Sequence, residues 1–301
     1  MKLQRRYRRG LFHFFRLIAR LLGRGGMPAL RDRGHRFGLL HYRLKSGKRR
    51  QLQAQIQRAL AVSPDEAAAL LREAYRINDR AILEILAMYT RTVTAAEVAA
   101  ACQVDGLEHL DEALAEGRGV VMLGMHMGNG VAMATHLAER GYPIAVIYRE
   151  SGKIPTGFFR DGIRGLGMEA IPAVPAATGV RRMLKALKEN RILFILMDQA
   201  TKQAGVTARF LGKSLNMPPG PAELARRTGA RVVPALLTGV EPLWQFQLGR
   251  PVKLAAQDSL ETTVQNLTEI MQSHIEKRPQ WWTWHQRRWW RYPFVNETDG
   301  D

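Results

Sequence analysis

From Gln51 to Arg91 the apolar residues recur at helical spacing, and Ser63-Pro64-Asp65-Glu66 supplies an N-cap, a proline in the first turn and early acids. Asn78-Asp79 predicts a break of this stretch in two. Thr94 caps a shorter helix ahead of Cys102, and Gly106 to Glu116 reads as one more. The period then changes. Val120 to Met125 is a short apolar run closed by His126-Met127-Gly128-Asn129-Gly130, and 131–140 returns to helical spacing. That sequence of patterns marks a buried strand in a βα unit. Further strands are predicted at Ile144–Tyr148, Ile192–Met197 and Arg231–Thr238, with a weaker one at Trp244–Leu248. Helices are predicted at 155–166, 179–189, 220–229 and Ser259–Lys277. Alternating strands and helices imply an α/β fold, a mostly parallel central sheet flanked by helices, behind a helical N-terminal region. Residues 51–295 read as a single α/β domain, with no internal repeat or low-complexity tract.

Charge separates the first fifty residues from that body. The 301-residue chain carries a formal net charge of +18, and residues 1–50 hold sixteen Lys or Arg against one acid, Asp32, so they supply fifteen of those charges. Residues 1–50 therefore read as a basic amphipathic appendage, and the high pI says little about the body. Leu11 to Leu22 is strongly apolar but contains Arg16 and Arg20. A spanning helix needs about 20 mostly apolar residues, and each central arginine costs a few kcal/mol at the bilayer midplane. A secretory signal fits poorly, because no uninterrupted apolar core or small-residue cleavage site follows. Arg16 and Arg20, four apart, share one helical face, which predicts an interfacial helix with Phe12 and Phe15 at the acyl boundary and the arginines reaching anionic headgroups. Nucleic acid is the rival partner for a cationic segment, but the aromatic density between the arginines weighs against it. At the other end, residues 278–291 contain five of the six tryptophans interleaved with arginine. This resembles an aromatic belt, with Trp281 and Trp282 as membrane contacts; packing of the rings against the sheet is the alternative.

The candidate chemistry collects at predicted strand ends. Open α/β sheets place active groups at the carboxyl ends of their strands. His126 stands there, and an ordinary imidazole pKa of about 6.5 suits a general base at neutral pH. Tyr148-Arg149 closes the next strand and Asp198-Gln199 another, while Asn216-Met217-Pro218-Pro219-Gly220-Pro221 opens a helix; a shared cleft is the expectation. Familiar motifs are near misses. Gly128-Asn129-Gly130 is followed by Met133 where a dinucleotide fingerprint needs a third glycine. Gly205 to Gly212-Lys213-Ser214 has six residues between glycines where a P-loop needs four, and no G-x-S-x-G elbow occurs. The single cysteine, Cys102, excludes an internal disulfide and Cys-cluster zinc sites, and the eight histidines show no ligand spacing, so no metal is expected.

Taken in order, several blocks resemble the bacterial lipid A late acyltransferases, within the lysophospholipid acyltransferase superfamily. They are Gly106, Glu108, His109 and Leu110 before Gly117–Val121; His126-Met127-Gly128-Asn129; Tyr148-Arg149; Asp198-Gln199; Phe210-Leu211-Gly212; Gly220 to Ala230 ahead of Val232-Val233-Pro234; and Arg278-Pro279-Gln280-Trp281 with Arg287-Arg288-Trp289. The likeness runs from about Tyr75 to Arg291. It implies a membrane-associated enzyme at the cytoplasmic face of the bacterial inner membrane. Such an enzyme moves a fatty acyl group from a thioester on acyl carrier protein or CoA to a hydroxyl of a membrane lipid, such as a lipid A precursor, with no bound cofactor. By resemblance His126 is the base, and Gly128, Asn129, Arg149, Asp198, Gln199 and Gly220 contact substrate or the oxyanion. Anionic membrane lipid is then the expected partner and nucleic acid is not. One position departs from the pattern: the fifth residue after the histidine, an acid in the family, is Val131. Either another carboxylate, Asp198 or Glu150, takes its place in space, or the imidazole works slowly with its tautomer set by a carbonyl, or the chain is a catalytically impaired lipid-binding relative.

Overall fold

The computed structural model describes residues 2–150, 154–202, 204–255, 257–285 and 287–295. Four helices open the chain: α1 (Lys2–Gly23), α2 (Gly26–Leu44), α3 (Ser46–Leu60) and α4 (Pro64–Tyr89). α5 (Ala95–Ala100), β1 (Cys102–Asp105) and α6 (Leu107–Ala115) lead into an alternation of β2 (Val120–Gly124), α7 (Gly130–Glu139), β3 (Ile144–Tyr148), α8 (Phe158–Gly165), β4 (Glu169–Pro172), α9 (Ala176–Lys188) and β5 (Ile192–Leu196). A hairpin, β6 (Val206–Phe210) and β7 (Lys213–Met217), precedes α10 (Gly220–Thr228), β8 (Arg231–Gly239), β9 (Trp244–Leu248), α11 (Leu260–Lys277) and the short α12 (Arg287–Trp290).

The main sheet has the order β1-β9-β8-β2-β5-β3-β4. Strands β8, β2, β5, β3 and β4 are mutually parallel, whereas β9 runs antiparallel to β8 and carries β1 beside it. This is the mostly parallel, helix-flanked sheet that the alternating pattern predicts. Every residue of β2 is buried, as a central parallel strand covered on both faces requires. The strands that pattern missed are instructive. β1 and β4 are the two four-residue edges of the sheet, too short to show a period. The β6–β7 hairpin turns at Leu211-Gly212, both with positive φ (49° and 74°), a type I′ turn without the Asn-Gly signature that would announce it.

The expected break at Asn78-Asp79 does not occur: α4 runs unbroken through it. Both residues are buried, at 5% and 2% exposure, and tertiary partners satisfy them. The Asn78 amide donates to Ala74 O (2.8 Å) and Trp281 O (3.1 Å), and Asp79 accepts from His41 Nδ1 on α2 (2.7 Å). A polar pair that would weaken an isolated helix is stable here because each group finds a partner in the fold. Helix α2 approaches α4 backbone to backbone. A Cβ at Gly34 would stand 2.6 Å from Arg80 Cα, and one at Gly38 would stand 2.4 Å from Tyr75 O, so only glycine fits either place.

The C-terminal segment is packed inward. Trp282, Trp284 and Trp289 are all at or below 1% exposure and meet one another edge-on. Lys213, also buried, donates to Gln55 Oε1 and to Tyr292 O (2.7 Å), with the rings of Trp289 and Phe294 over its ammonium at 4.1 and 4.3 Å. The residue at the near-miss P-loop position thus fastens this tail to the hairpin.

Burial holds His274 and His285 well below the usual imidazole range, each to about 4. His274 Nε2 donates to Leu237 O (2.9 Å). Because both values are depressed in the folded state, the unfolded chain takes up these protons first as pH falls. Their contribution is complete above about pH 6.5 and is lost towards pH 4, at about 1.4 kcal/mol per pH unit for each group. Urea denaturation is expected to give a lower midpoint at pH 5 than at pH 7, with a shallower decline in His274→Gln; a midpoint indifferent to pH over that range contradicts this.

Candidate active site

The carboxyl ends of β2, β5 and β3 lie side by side, so the residues that follow them meet at one rim. Register sets the central contact. Gly124 of β2 pairs with Leu196 of β5, and His126 and Asp198 each stand two residues further on. Parallel neighbours are about 4.8 Å apart, a gap that an imidazole and a carboxylate bridge. His126 Nδ1 lies 2.7 Å from Asp198 Oδ1, and because the carboxylate can only accept, Nδ1 carries the proton and Nε2 is left as the acceptor.

Asp198 is fully buried, whereas about a third (32%) of the His126 side chain is exposed. With Nδ1 turned to the buried acid, the open edge of the ring is the Nε2 side. Burial alone pushes the Asp198 pKa up. The charge of His126, its side-chain bond, the Trp282 indole N–H (2.8 Å) and the His126 main-chain N–H (2.8 Å) outweigh that and hold the carboxyl below its usual range. An ionised buried acid beside a partly open imidazole orients the ring and stabilises the imidazolium formed when Nε2 takes a proton.

The main chain of His126 is held from the other side. Thr283 N donates to His126 O (3.2 Å), and the Thr283 hydroxyl lies 2.6 Å from the same oxygen and 2.8 Å from Asn78 Oδ1, sharing its one proton between them. Asn78, which sequence pattern reads as a helix break, is therefore part of the support for the dyad. No spacing rule could have found it, since the contact joins α4 to the C-terminal tail.

The other predicted residues divide. The acid absent at Val131 is replaced in space by Asp198, not by Glu150, which accepts from Gly157 N–H (3.1 Å). Asp198 is thus a partner of the histidine, and its burial corrects the expectation that it touches substrate. Asn129 is corrected as well. It is fully buried; its Oδ1 caps α7 at Ala132 N (3.0 Å), and its amide donates to Glu84 Oε2 (2.9 Å). Glu84 also accepts from Trp244 Nε1 (2.6 Å) and Arg80 Nε (2.7 Å), and the Arg80 guanidinium lies 3.9 Å from the Trp244 ring centroid. This network fixes the turn that carries His126. Gly128 belongs to the same packing: at φ +59° a Cβ would stand 2.6 Å from Trp244. Arg149 is exposed just past β3, Gln199 is half-buried just past Asp198, and Gly220 is half-buried with open space at its α-carbon. A narrow apolar hollow lined by Met125, Met127, Met133, Phe194, Leu237 and Phe246 lies behind the histidine turn.

Of the expected membrane contacts, Trp282 is contradicted: it is buried at 1% exposure and bonded to Asp198. Packing inside the tail wins because an indole N–H left in the interior needs an acceptor and the carboxylate supplies one. Trp281 is half-buried under Arg278. Phe15 is half-buried and meets Phe158 edge-on at 5.9 Å, so it faces the body. Arg16 is half-buried, Arg20 is exposed, and the Phe12 side chain lies outside the described residues. Outward-facing apolar side chains do occur on α1, at Phe14, Leu17 and Leu21, and on α2, at Phe37, Leu40 and Leu44. Among the described residues no helix is long and apolar enough to cross a membrane, and no cluster of His, Cys, Asp and Glu could hold a metal.

Comparison with known proteins extends these observations. The family model of the bacterial lipid A biosynthesis acyltransferases matches residues 2–291. A phosphatidylinositol mannoside acyltransferase of Mycobacterium tuberculosis (strain CDC 1551 / Oshkosh) is 28% identical over 258 residues, which is 82% of this chain and 79% of the relative. The protein of that name from strain ATCC 25618 / H37Rv is 30% identical over 188 residues, 62% of this chain and 59% of its own. A third, from Mycolicibacterium smegmatis, is 26% identical over 191 residues, 61% of this chain and 60% of its own.

Removing Glu84 takes the charged partner from Arg80 Nε, although Arg80 Nη1 keeps Val240 O (2.7 Å), and takes an acceptor from the Asn129 amide and the Trp244 indole. Glu84→Ala is expected to lower the unfolding free energy by about 3–5 kcal/mol, measured by chemical denaturation; a loss below 1 kcal/mol contradicts the network's role.

Proposed function

The chain belongs to the bacterial lipid A biosynthesis acyltransferase family and is an acyltransferase, and we propose that it transfers a fatty acyl group from a thioester to a hydroxyl of a membrane glycolipid. The observation that carries this reading is the 2.7 Å bond from His126 Nδ1 to a buried, ionised Asp198 with the Nε2 edge of the ring open. Nε2 takes the proton of the acceptor hydroxyl as its oxygen attacks the thioester carbonyl. The C–O bond forms, the tetrahedral intermediate collapses with loss of the C–S bond, and the imidazolium returns the proton to the departing thiolate. Asp198 keeps its charge throughout and stabilises the imidazolium. Arg149, Gln199, Gly220 and the main chain at Gly128 are the groups at the rim assigned to substrate and oxyanion contact.

The glycolipid acceptor is supported by the relatives' activity on phosphatidylinositol mannosides and by the family's description. Acyl carrier protein or CoA is the proposed carrier of the thioester, which enters as co-substrate with no resident cofactor. We place the enzyme on the cytoplasmic face of the bacterial inner membrane, residues 1–50 being the membrane-association segment of a single α/β transferase domain, 51–295. What supports this is the concentration of positive charge in that segment together with the exposed row Phe14, Leu17 and Leu21 on α1. Apolar side chains at the acyl boundary and arginines at anionic headgroups are mutually reinforcing.

Three experiments test the proposal. Lipid mass spectrometry of cells with and without the gene is expected to reveal one glycolipid lacking an acyl chain. His126→Ala is expected to abolish transfer, and Asp198→Asn to lower turnover by about 10³- to 10⁴-fold; full activity in either overturns the mechanism. Liposomes with anionic lipid are expected to carry the protein on flotation, and Leu17→Asp with Leu21→Asp to weaken that binding; flotation unchanged by these substitutions removes α1 as the contact.

A further inference from the structure

We propose that Trp282 is a positioning residue for the transfer, its indole N–H holding the Asp198 carboxylate so that His126 presents Nε2 to the acceptor. The inference rests on the reading of His126 as the base. Asp198 has no exposed surface, and its two oxygens are divided between tasks. Oδ1 takes His126 Nδ1, while Oδ2 takes the main-chain N–H of His126 and the Trp282 indole, both at 2.8 Å. The main-chain donor belongs to the turn that follows β2. The indole comes from 84 residues away in the chain and gives Oδ2 a side-chain donor.

Several features fit that role. The Trp282 ring has little freedom: Phe210, Trp284 and Trp289 meet it edge-on with centroids at 5.7, 4.8 and 5.6 Å. Its backbone bridges to Met127, and the next residue, Thr283, donates to His126 O. The tail therefore grips the dyad at the carboxylate with one residue and at the histidine main chain with the next. An indole also suits the task chemically. It donates one hydrogen bond, accepts none and does not titrate, so it supports the charged carboxylate at every pH without offering a competing base. Val131 supplies no second acid, so the whole duty of fixing the imidazole falls on one carboxylate, and the donors on that carboxylate matter correspondingly more.

Trp282→Phe keeps a ring in the aromatic cluster and deletes the N–H. Relative to wild type, kcat is expected to fall about tenfold or more with KM for both substrates within about twofold, and the acid limb of the kcat profile to move towards neutral by about one pH unit. Trp284→Phe is the control, because that indole donates to Pro279 O (2.7 Å) and not to the dyad; it is expected to leave the acid limb in place. Unchanged kcat and pH profile in Trp282→Phe, or an equal displacement in Trp284→Phe, overturns the proposal. Should Trp282→Phe not fold, ¹⁵N spectra of the wild-type protein decide: the Trp282 indole resonance is expected to titrate with the acid limb and to be displaced in Asp198→Asn, and a resonance constant through that limb overturns the proposal. A wild-type protein inert towards every thioester would sink the transfer reading, while displacement of the Trp282 indole resonance in Asp198→Asn would still test the contact.

Discussion

A carboxylate that remains charged with no access to water is the constraint on which the site depends. An isolated buried acid would give up its charge by binding a proton. Asp198 keeps it because an imidazole, a main-chain N–H and an indole N–H converge on two oxygens. Those three donors come from two places in the chain, the turn after β2 and the C-terminal tail, so neither the sheet nor the tail forms the site alone.

The distribution of polar groups around the histidine follows from the same constraint. The dyad sits on the last turns of two central strands, where the surroundings are apolar and every polar group must be paired. Glu84 gathers Asn129, Arg80 and Trp244 beneath the turn, and Asn78 with Thr283 holds the carbonyl of His126. Each network joins the long helix α4 to something distant in sequence. α4 therefore acts as a spine: α2 packs on one side through Gly34 and Gly38, and the site is braced on the other.

The absence of an acid at position 131 is resolved by geometry. In the family pattern the acid lies one helical turn beyond the histidine, on the same segment. Here the carboxylate beside the imidazole comes from the neighbouring strand's end, where equal register places Asp198 at hydrogen-bond distance. The chemistry needs a negative group on Nδ1 and is indifferent to which segment supplies it.

The sequence by itself determined the alternation of β2, β3, β5 and β8 with their helices, the placement of His126 and Asp198 at strand ends, and the separation of a basic N-terminal segment from a nearly neutral body. These are properties of period and local charge, which need no knowledge of distant neighbours. The tertiary structure alone decided which strand lies beside which, and hence that His126 meets Asp198 and not Glu150. It also turned Asn78 and Asp79 from helix breakers into buried partners and Asn129 from a substrate contact into a brace, and it drew Trp282 from the expected membrane surface into the dyad. Each of these outcomes depends on a polar group meeting its partner across dozens of residues, and no local pattern encodes such a meeting.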